Sequence, residues 1–327
     1  MTLQIETLHH DGYERVVHFS DEDFECYIAL HSTTLGPAMG GCRIVPYTSK
    51  ADALLDALRL AKAMTYKTSL AGLNMGGGKC VIIADRANHD IMLKAGEAVN
   101  HFGGDYIIAE DVGTSLDDIE TLSEVTPHTV HLDGSANTAR GVLAAIRAAG
   151  TYLGEWSTFD GVPLWIQGLG KVGMDLATRL RDHTNLYVSD LRSELVSQAK
   201  AMGCHEISET DRKFIAVYAP CAMGQVVNAG NLHGLTYSVI CGSANNQLAD
   251  DSYAEVLQKN HVLYCPDWLV NAGGAITAAG EIEQWSVEEI EQRCDAIGEV
   301  LTNVFEMAKM AGTTPLATAI TLAEARL

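Results

Sequence analysis

The sequence predicts an α/β protein of two domains, the second of which is built on a doubly wound parallel sheet. With 327 residues, 47% hydrophobic composition and 7 prolines, the chain can bury more than one core. Its second half alternates short apolar strands with helices, which is typical of parallel sheets. Its first third mixes strand-like runs with a long helical pattern.

The first domain is predicted to span residues 1–135. Its strand-like runs are 24–30, 80–84 and 106–109. Its clearest helix covers 49–65, where apolar residues recur at helical spacing from Leu54 to Thr65. Ser49 is suited to cap the N-terminus of that helix. One face of the helix is therefore expected to be buried.

The second domain is predicted to span residues 136–300. Its strands are predicted at 164–167, 186–189, 214–218, 238–241 and 262–264, with a helix at 174–181. An alanine-rich segment without proline, 137–154, is predicted to be a helix that runs from one domain into the other as a hinge. Segments 287–309 and 315–327 are helical in pattern, and we expect the helices of 301–327 to return toward the first domain.

The charge and the cysteines limit the possible partners. Lys and Arg total 22 against 42 Asp and Glu, a net charge of −20, so a nucleic-acid backbone would be repelled. No run of about 20 apolar residues predicts a membrane span, and we expect a cytoplasmic protein. The 8 cysteines form no Cys-x-x-Cys pair and no group with histidines, which indicates reduced core thiols rather than a metal site.

Two lysines stand among apolar and glycine neighbours, Lys67 after Met64-Thr65-Tyr66 and Lys79 after Gly76-Gly77-Gly78. Loss of hydration lowers the pKa of an ammonium group and suits it to act as a base or an anion anchor. Equally, each could be a lysine lying along apolar surface beside a flexible glycine turn. The residues alone leave both interpretations open.

A nucleotide-binding pattern, Gly168-x-Gly170-x-x-Gly173, follows an apolar strand and opens a helix. The first glycine permits a tight turn, the second lets the backbone approach a pyrophosphate, and the third permits close helix packing. Asp190 ends the next strand and could accept hydrogen bonds from a ribose. A carboxylate there favours NAD over NADP, although Arg192 weakens the preference. The alternative is an ordinary tight turn beside a solvated strand end.

Several segments, taken in this order, resemble the leucine, phenylalanine, valine and tryptophan branch of the Glu/Leu/Phe/Val amino-acid dehydrogenases. They are 31–41 (HSTTLGPAMGG), 56–67 (DALRLAKAMTYK), 71–79 (AGLNMGGGK), 109–114 (AEDVGT), 219–222 (APCA), 242–248 (GSANNQL) and 266–274 (PDWLVNAGG). The resemblance covers roughly residues 28–326. It implies a substrate-binding and oligomerisation domain and a Rossmann-type NAD domain, separated by a cleft.

The resemblance further implies reversible NAD-dependent oxidative deamination of an L-amino acid to a 2-oxo acid and ammonia. Lys67 would hold the substrate carboxylate, Lys79 would activate the water that attacks an imine, and Asp111 would exchange protons. Asn271 would contact the substrate amino group. No nucleic-acid or membrane partner is implied, and we expect a homo-oligomer, a dimer or larger.

The remaining site residues are implied by the same matches. Those expected around the substrate are Met39, Gly40, Gly41, Met64, Ala109, Ala275 and Ala278. Those expected around NAD are Gly168, Gly170, Lys171, Val172, Gly173, Asp190, Leu191, Arg192, Thr138, Ala219, Pro220, Cys221 and Asn245. Single residues also have simpler roles, since Asn271, Asp111 and Thr138 could be caps or the acid of a helix N-terminus.

The expected side-chain pocket, Met39, Ala109, Ala275 and Ala278, contains no cation that could pair with a second substrate carboxylate. Glutamate is therefore an unexpected substrate. Branched-chain members tend to carry valines at the last two positions, so a large apolar or aromatic amino acid is predicted. A leucine- or valine-preferring enzyme and a non-catalytic NAD-binding sensor are the alternatives. A hydroxy-acid dehydrogenase would need a histidine with an arginine, and no such pair is evident.

Overall fold

The computed structural model describes residues 3–327. By its internal contacts the chain forms two compact units. The first unit consists of Met1–Asp133, Thr277–Gln284 and Ala323–Leu327, and the second of Gly134–Ile276 and Trp285–Leu322. The fold is therefore the predicted two-domain α/β type, and each unit contains its own sheet.

The first unit contains a mixed sheet, sheet A. Its elements are β1 (Gln4–Leu8), β2 (Arg15–Ser20), β3 (Glu25–Ser32), β4 (Ala38–Val45), α1 (Lys50–Leu70), β5 (Gly76–Ile83), α2 (His89–Asn100), β6 (Tyr106–Glu110) and α3 (Leu116–Ser123). The strand order is β1-β2-β3-β5-β4-β6. The first three strands and β5 pair antiparallel, whereas β4 pairs parallel with both β5 and β6.

Helix α1 covers the face of sheet A that carries the side chain of Lys79. Ser49 caps it as predicted, because its side chain accepts a hydrogen bond from the Asp52 backbone. The alanines of α1 pack with Tyr27, Ala29 and Val81 on this face. The opposite face packs against α2 and α3, where the bulkier side chains form the main core of the unit. The sheet therefore offers one face closely approached by a small-residue helix.

The second unit contains sheet B and most of the remaining helices. Its elements are α4 (Ser135–Leu153), β7 (Pro163–Gln167), α5 (Lys171–Leu180), β8 (Asn185–Ser189), α6 (Ser193–Ala201), β9 (His205–Glu206), β10 (Val217–Pro220), β11 (Val239–Ile240), α7 (Tyr253–Lys259), β12 (Leu263–Tyr264), α8 (Asp267–Val270), α9 (Gly273–Glu283), α10 (Val287–Asp295), α11 (Ile297–Ala311) and α12 (Pro315–Glu324). Two of these helices, α9 and α12, extend into residues of the first unit.

Sheet B is parallel throughout, in the order β12-β11-β10-β7-β8-β9. Numbered from β7, this is the order 3-2-1-4-5-6 of the dinucleotide-binding fold. The strand order reverses between β7 and β10, and ligands of such sheets bind at the carboxyl ends of the strands at that point. The glycine pattern lies directly after β7, at that position.

Two predictions about elements were wrong in detail. The strand predicted at 214–218 begins only at Val217, because Asp211–Phe214 form a 3₁₀ turn that leaves Phe214 exposed. The single helix predicted at 287–309 is two helices that meet at Ala296. At this break α11 comes close to α4, since a Cβ added to Gly298 would lie 2.9 Å from the carbonyl oxygen of Ala144.

The compact units also differ from the predicted division at 135/136 and 300/301. The helix predicted as a hinge, α4, does not run from one unit into the other but lies wholly within the second. Its apolar face packs against α5, α10 and α11, and this packing holds it there. Residues 301–322 also belong to the second unit, and Ala323–Leu327 belong to the first.

Candidate active site

Lys79 lies in the middle of β5 and is 4% exposed. Its three preceding glycines are strand residues, not a flexible turn, so the interpretation of a lysine lying along the surface is excluded for this residue. Alternation along the strand places Gly77, Lys79 and Val81 on the face covered by α1. A cation therefore stands among small residues between a sheet and a helix.

Close packing of α1 on β5 determines where Lys67 lies. A Cβ added to Gly77 would lie 2.0 Å from the backbone nitrogen of Thr65, so only glycine permits this approach. Lys67 stands in the last turn of α1, with Met64 one turn earlier on the same side of the helix. Both side chains are partly buried. The glycine segment thus brings the end of α1 against the strand that carries Lys79.

Asp111 is the ion-pair partner of Lys79. The Nζ atom of Lys79 donates to Oδ2 of Asp111 at 2.8 Å, and the side chains are 6% and 19% exposed. The backbone amide of Asp111 donates to Oγ1 of Thr114, and that hydroxyl contacts the carbonyl oxygen of Cys42. These bonds fix the segment that follows β6 against the end of β4. Asp111 precedes α3, whose N-cap is Ser115 with a capping box, so Asp111 is not a residue of that helix.

Arg43 is a second cation at this carboxylate, and the sequence reasoning missed it. Its Nε donates to Oδ2 of Asp111 at 2.8 Å, and its Nη1 donates to Asp56 at 3.1 Å. The only available signal was that Arg43 stands two residues after Gly41 and would therefore share its face of a strand. Asp56, on α1, was missed as well.

The carboxyl group of Asp111 is held ionised. Burial opposes its charge and by itself would raise its pKa, but the charges of Lys79 and Arg43, and their hydrogen bonds, outweigh burial. The resulting pKa lies well below the ordinary range of an aspartate. A buried carboxylate between two cations is therefore an anion across the physiological pH range.

Gly41 makes the pairing of Lys79 with Asp111 sterically possible. A Cβ at this position would lie 2.6 Å from Cβ of Asp111, 2.9 Å from the Glu110 carbonyl oxygen and 3.2 Å from Nζ of Lys79. The neighbouring Gly40 is equally constrained, since its Cβ would lie 1.8 Å from the carbonyl oxygen of Gly78. Strand β4 therefore needs glycine where it passes between the two charged residues.

The other residues predicted around the substrate are distributed over both units. Alternation places Met39 on the same face of β4 as Gly41, and Ala109 pairs with Gly41 across β4 and β6. Met39 is buried and Ala109 partly buried. Ala275 and Ala278 are three residues apart on α9, where both are buried.

The glycine pattern after β7 has the geometry of a dinucleotide loop. Gly168 has φ of +100°, a conformation that favours glycine. A Cβ at Gly173 would lie 1.9 Å from the carbonyl oxygen of Gly168, so the third glycine permits the helix to pack on the loop. A Cβ at Gly170 would meet no protein atom within 4 Å. Backbone at Gly170 is thus accessible to a ligand.

The geometry of this loop fits a bound dinucleotide. Gly170 is the N-cap of α5 and provides no side-chain hydrogen bond to the first turn, which starts at Lys171 and Val172. Helix N-termini attract phosphates through their amides and dipole, most effectively where no side chain caps them. The open backbone at Gly170 and the uncapped helix therefore suit the pyrophosphate of a dinucleotide.

Asp190 supports the loop directly, which the sequence did not reveal. Its Oδ2 accepts from the Leu169 amide at 2.6 Å, and its Oδ1 accepts from the amide of Arg192 at 2.9 Å. Burial would raise its pKa, but these amides and the charge of Arg192 lower it instead. Leu191 and Arg192 are largely exposed beside it. Asp190 is thus an anion that joins the ends of β7 and β8.

The remaining residues predicted around NAD lie at two places in the second unit. Ala219 and Pro220 end β10, and the Cys221 amide donates to the carbonyl oxygen of Gln167 at 2.7 Å, next to the glycine loop. Thr138 lies in the first turn of α4, where its hydroxyl donates to the carbonyl oxygen of Gly134 at 2.9 Å. The N-cap of α4 is Gly134, so Thr138 is not a simple cap.

Asn271 carries an unsatisfied acceptor. Its Nδ2 donates to the carbonyl oxygen of Ser243 at 3.1 Å and to Oδ1 of Asn245 at 2.8 Å. Its Oδ1 is buried and accepts no hydrogen bond from residues 3–327. The two donated bonds fix the orientation of the amide. A buried acceptor without a donor is costly, so this oxygen is suited to a ligand that supplies an N–H group.

No group of three histidine, cysteine or acidic side chains within residues 3–327 could hold a metal ion. Across the same residues, no helix is both long enough and apolar enough to span a membrane.

Comparison with known proteins identifies the family. Residues 14–128 match the family profile described as Glu/Leu/Phe/Val dehydrogenase, dimerisation domain, and residues 192–327 match Glutamate/Leucine/Phenylalanine/Valine dehydrogenase. The chain is 36% identical to an L-tryptophan dehydrogenase of Nostoc punctiforme, over 99% of this chain and 96% of that protein. It is 37% identical to a leucine dehydrogenase of Bacillus cereus, over 100% and 94% of the two chains.

The fold agrees with these sequence matches. The crystal structure of L-tryptophan dehydrogenase from Nostoc punctiforme superposes with a TM-score of 0.84, at 36% identity and with 96% of each chain covered. The chain therefore belongs to the Glu/Leu/Phe/Val family of NAD(P)-dependent dehydrogenases and is an L-amino-acid dehydrogenase, an oxidoreductase that acts on the CH–NH₂ group.

Proposed function

We propose that this enzyme catalyses the reversible, NAD-dependent oxidative deamination of a large apolar or aromatic L-amino acid to its 2-oxo acid and ammonia. The observation that carries the proposal is the buried Lys79–Asp111 ion pair on the face of sheet A that α1 covers. The first unit would bind and convert the substrate, and the second would bind the cofactor. Bound NAD would supply the acceptor for the hydride that leaves the substrate.

Lys67 is proposed to hold the substrate carboxylate. Lys67 stands in the last turn of α1, the helix that packs against the glycine segment preceding Lys79, and this position supports the proposal. An ammonium group pairs with a carboxylate as a point charge and needs no fixed planar geometry. This contact would orient the α-carbon for oxidation.

Lys79 is proposed to act as a base once it has lost its ammonium proton: it takes a proton from the water as the water oxygen bonds to the imine carbon. Asp111 is proposed to pass a proton to the nitrogen, which leaves as ammonia when the C–N bond breaks and the carbonyl forms. The 2.8 Å contact between Nζ and Oδ2 holds the carboxylate beside Lys79, within reach of the same reacting groups. Asp111, held ionised, accepts a proton only transiently and returns it. The buried Oδ1 of Asn271 would accept from the substrate amino group, which would satisfy its missing bond.

The cofactor would be held by the loop and helix of the second unit. Gly168, Gly170 and Gly173 form the turn, the first turn of α5 faces the pyrophosphate, and Asp190 accepts from the adenosine ribose. The lowered pKa of Asp190 supports NAD over NADP, because an anion there repels a 2′-phosphate. The other cofactor contacts are proposed at Lys171, Val172, Leu191, Arg192, Thr138, Ala219, Pro220, Cys221 and Asn245.

Substrate preference is proposed to follow from the small residues on α9. Ala275 and Ala278 leave more room than valines would, and each buried methylene of a substrate contributes about 0.8 kcal/mol. The relatives include a tryptophan and a leucine dehydrogenase, which supports an apolar substrate and leaves its size to measurement.

The test is a panel of L-amino acids, Val, Leu, Phe, Trp and Glu, assayed with NAD and with NADP by the absorbance of the reduced nicotinamide. We expect the highest kcat/KM for Phe or Trp with NAD and no turnover of Glu. A clear preference for Val or Leu would replace the aromatic assignment with a branched-chain one. Absence of turnover with every apolar amino acid would reject the proposed function.

Two further properties are proposed, the oligomeric state and the cellular location. Homo-oligomerisation, as a dimer or larger, is supported by the match of residues 14–128 to a dimerisation domain. A reducing, cytoplasmic location is supported by the free thiols, among which Cys26 and Cys80 lie 3.6 Å apart, sulfur to sulfur, and share a hydrogen bond rather than a disulfide. Light scattering of the purified protein would show the subunit number, and a monomer at micromolar concentration would reject the first property.

A further inference from the structure

We propose that Arg43 is the positioning residue of the reaction: it fixes the Asp111 carboxylate through Oδ2 and leaves Oδ1 as the atom that exchanges protons. This inference rests on the proposed function. It concerns a residue that would touch neither the substrate nor the cofactor and would act through Asp111.

The hydrogen bonds at Asp111 distinguish its two carboxylate oxygens. Both bonds that the carboxylate accepts end on Oδ2, one from Nζ of Lys79 and one from Nε of Arg43, each at 2.8 Å. Among residues 3–327 no hydrogen bond reaches Oδ1. An aspartate held by Lys79 alone could rotate about its terminal bond and exchange the two oxygens. A second donor on the same oxygen, from another direction, removes that freedom.

Arg43 can do this because it is itself anchored. Its guanidinium bridges from Asp111 to Asp56, and the hydroxyl of Tyr47 donates to the same oxygen of Asp56. These residues come from β4, from α1 and from the segments after β4 and β6. The Arg43 side chain is 15% exposed. A planar, rigid guanidinium can hold two carboxylates in fixed directions, whereas a lysine ammonium cannot.

The charges around Asp111 give the inference a measurable consequence. Lys79 and Arg43 are cations at its carboxylate, and Asp56 is an anion behind Arg43. The other titratable side chains close to this group are Cys42, Cys80 and Tyr106, which are buried and neutral because their pKa values are raised well above the ordinary ones. Loss of Arg43 would leave one cation facing two anions. The Asp111 carboxylate, whose pKa Arg43 helps to lower, would then bind a proton more tightly.

The experiment compares the pH dependence of kcat/KM for the full-length wild type, Arg43→Gln, Arg43→Lys and Asp56→Asn. In the pH profile of kcat/KM, we expect the acidic limb of the Arg43→Gln variant to lie at higher pH than that of the wild type. The shift should be about one pH unit or more, the usual effect of one close charge. Arg43→Lys keeps the charge and should retain the wild-type limb with a lower kcat. Asp56→Asn removes the outer anion and should move the limb to lower pH.

The outcomes separate this inference from the proposed function. A wild type that does not turn over apolar amino acids rejects the proposed function itself. A wild type that is active beside a folded Arg43→Gln with an unchanged acidic limb overturns the inference and leaves the function standing. If circular dichroism shows that the Arg43→Gln variant is unfolded, the pH profile of Asp56→Asn tests the inference instead. Its limb at lower pH supports the role of Arg43, and an unchanged limb overturns it.

Discussion

The nucleotide loop of the second unit and the charged site of the first unit are assembled in different ways. The loop and its supporting carboxylate lie within residues 168–190, on two consecutive strands. The charged site joins Arg43 on β4, Asp56 on α1, Lys79 on β5 and Asp111 after β6. The first can be recognised from spacing, because its contacts are local. The second cannot, because strand order rather than sequence order makes β4 the neighbour of both β5 and β6.

The strongest test of this contrast is Lys79→Ala. We expect kcat to fall by about 10³-fold, within the range for loss of a general base, while the Kd of NAD stays near the wild-type value because the loop is built separately. Lys50→Ala is the control, since Lys50 also forms an ion pair, with Glu25 at 2.7 Å, but is 65% exposed. A Lys79→Ala enzyme with normal turnover would contradict the assigned role.

Asp111→Asn tests the charged site through stability. Removing one partner of a buried ion pair should lower the free energy of unfolding at pH 7 by about 3 kcal/mol. The pKa of Asp111 in the folded state lies below its unfolded value of about 3.9, so its stabilisation is complete above that pH and is lost as pH falls through the folded value. The difference between variant and wild type should therefore shrink below about pH 4.

Urea titrations at several pH values would measure this difference. Asp117→Asn is a suitable control, because Asp117 is exposed on α3 and its loss should change the free energy of unfolding by less than about 0.5 kcal/mol. A difference between Asp111→Asn and wild type that stays constant down to pH 2 would show that the ion pair is not formed.

A pair of glycine substitutions gives the smallest but most direct comparison. Gly41→Ala should destabilise the protein by about 1 to 3 kcal/mol, because its methyl group would meet Asp111 and Glu110. Gly170→Ala should leave the free energy of unfolding unchanged within about 0.5 kcal/mol, since an added Cβ would meet no residue among 3–327 within 4 Å other than its chain neighbours. It should instead weaken NAD binding by about tenfold, or 1.4 kcal/mol. Thermal unfolding and nucleotide titration of both variants would measure these effects. A Gly170→Ala variant that loses stability but binds NAD normally would show that the loop has only a structural role.

Particular residues show how far the sequence could lead. Ser49 was correctly predicted as the cap of α1, because capping is a local hydrogen bond. The prediction that a strand begins at residue 214 was wrong, because the apolar Phe214 lies in a turn and faces solvent. The supporting bond from Asp190 to Leu169 was not foreseen, because it depends on the pairing of β7 with β8.

The sequence by itself determined the α/β class, the family and the glycine turn after β7, because periodicity, residue identity and glycine spacing are all local. Only the tertiary structure decided that Lys79 is paired rather than solvated, that Arg43 shares its carboxylate, and that Asn271 has an oxygen without a donor. These facts depend on strands and helices that are distant in sequence and pack so closely at glycines that a Cβ added there would lie about 2 Å to 3 Å from a neighbouring atom. No pattern along one chain segment contains that information.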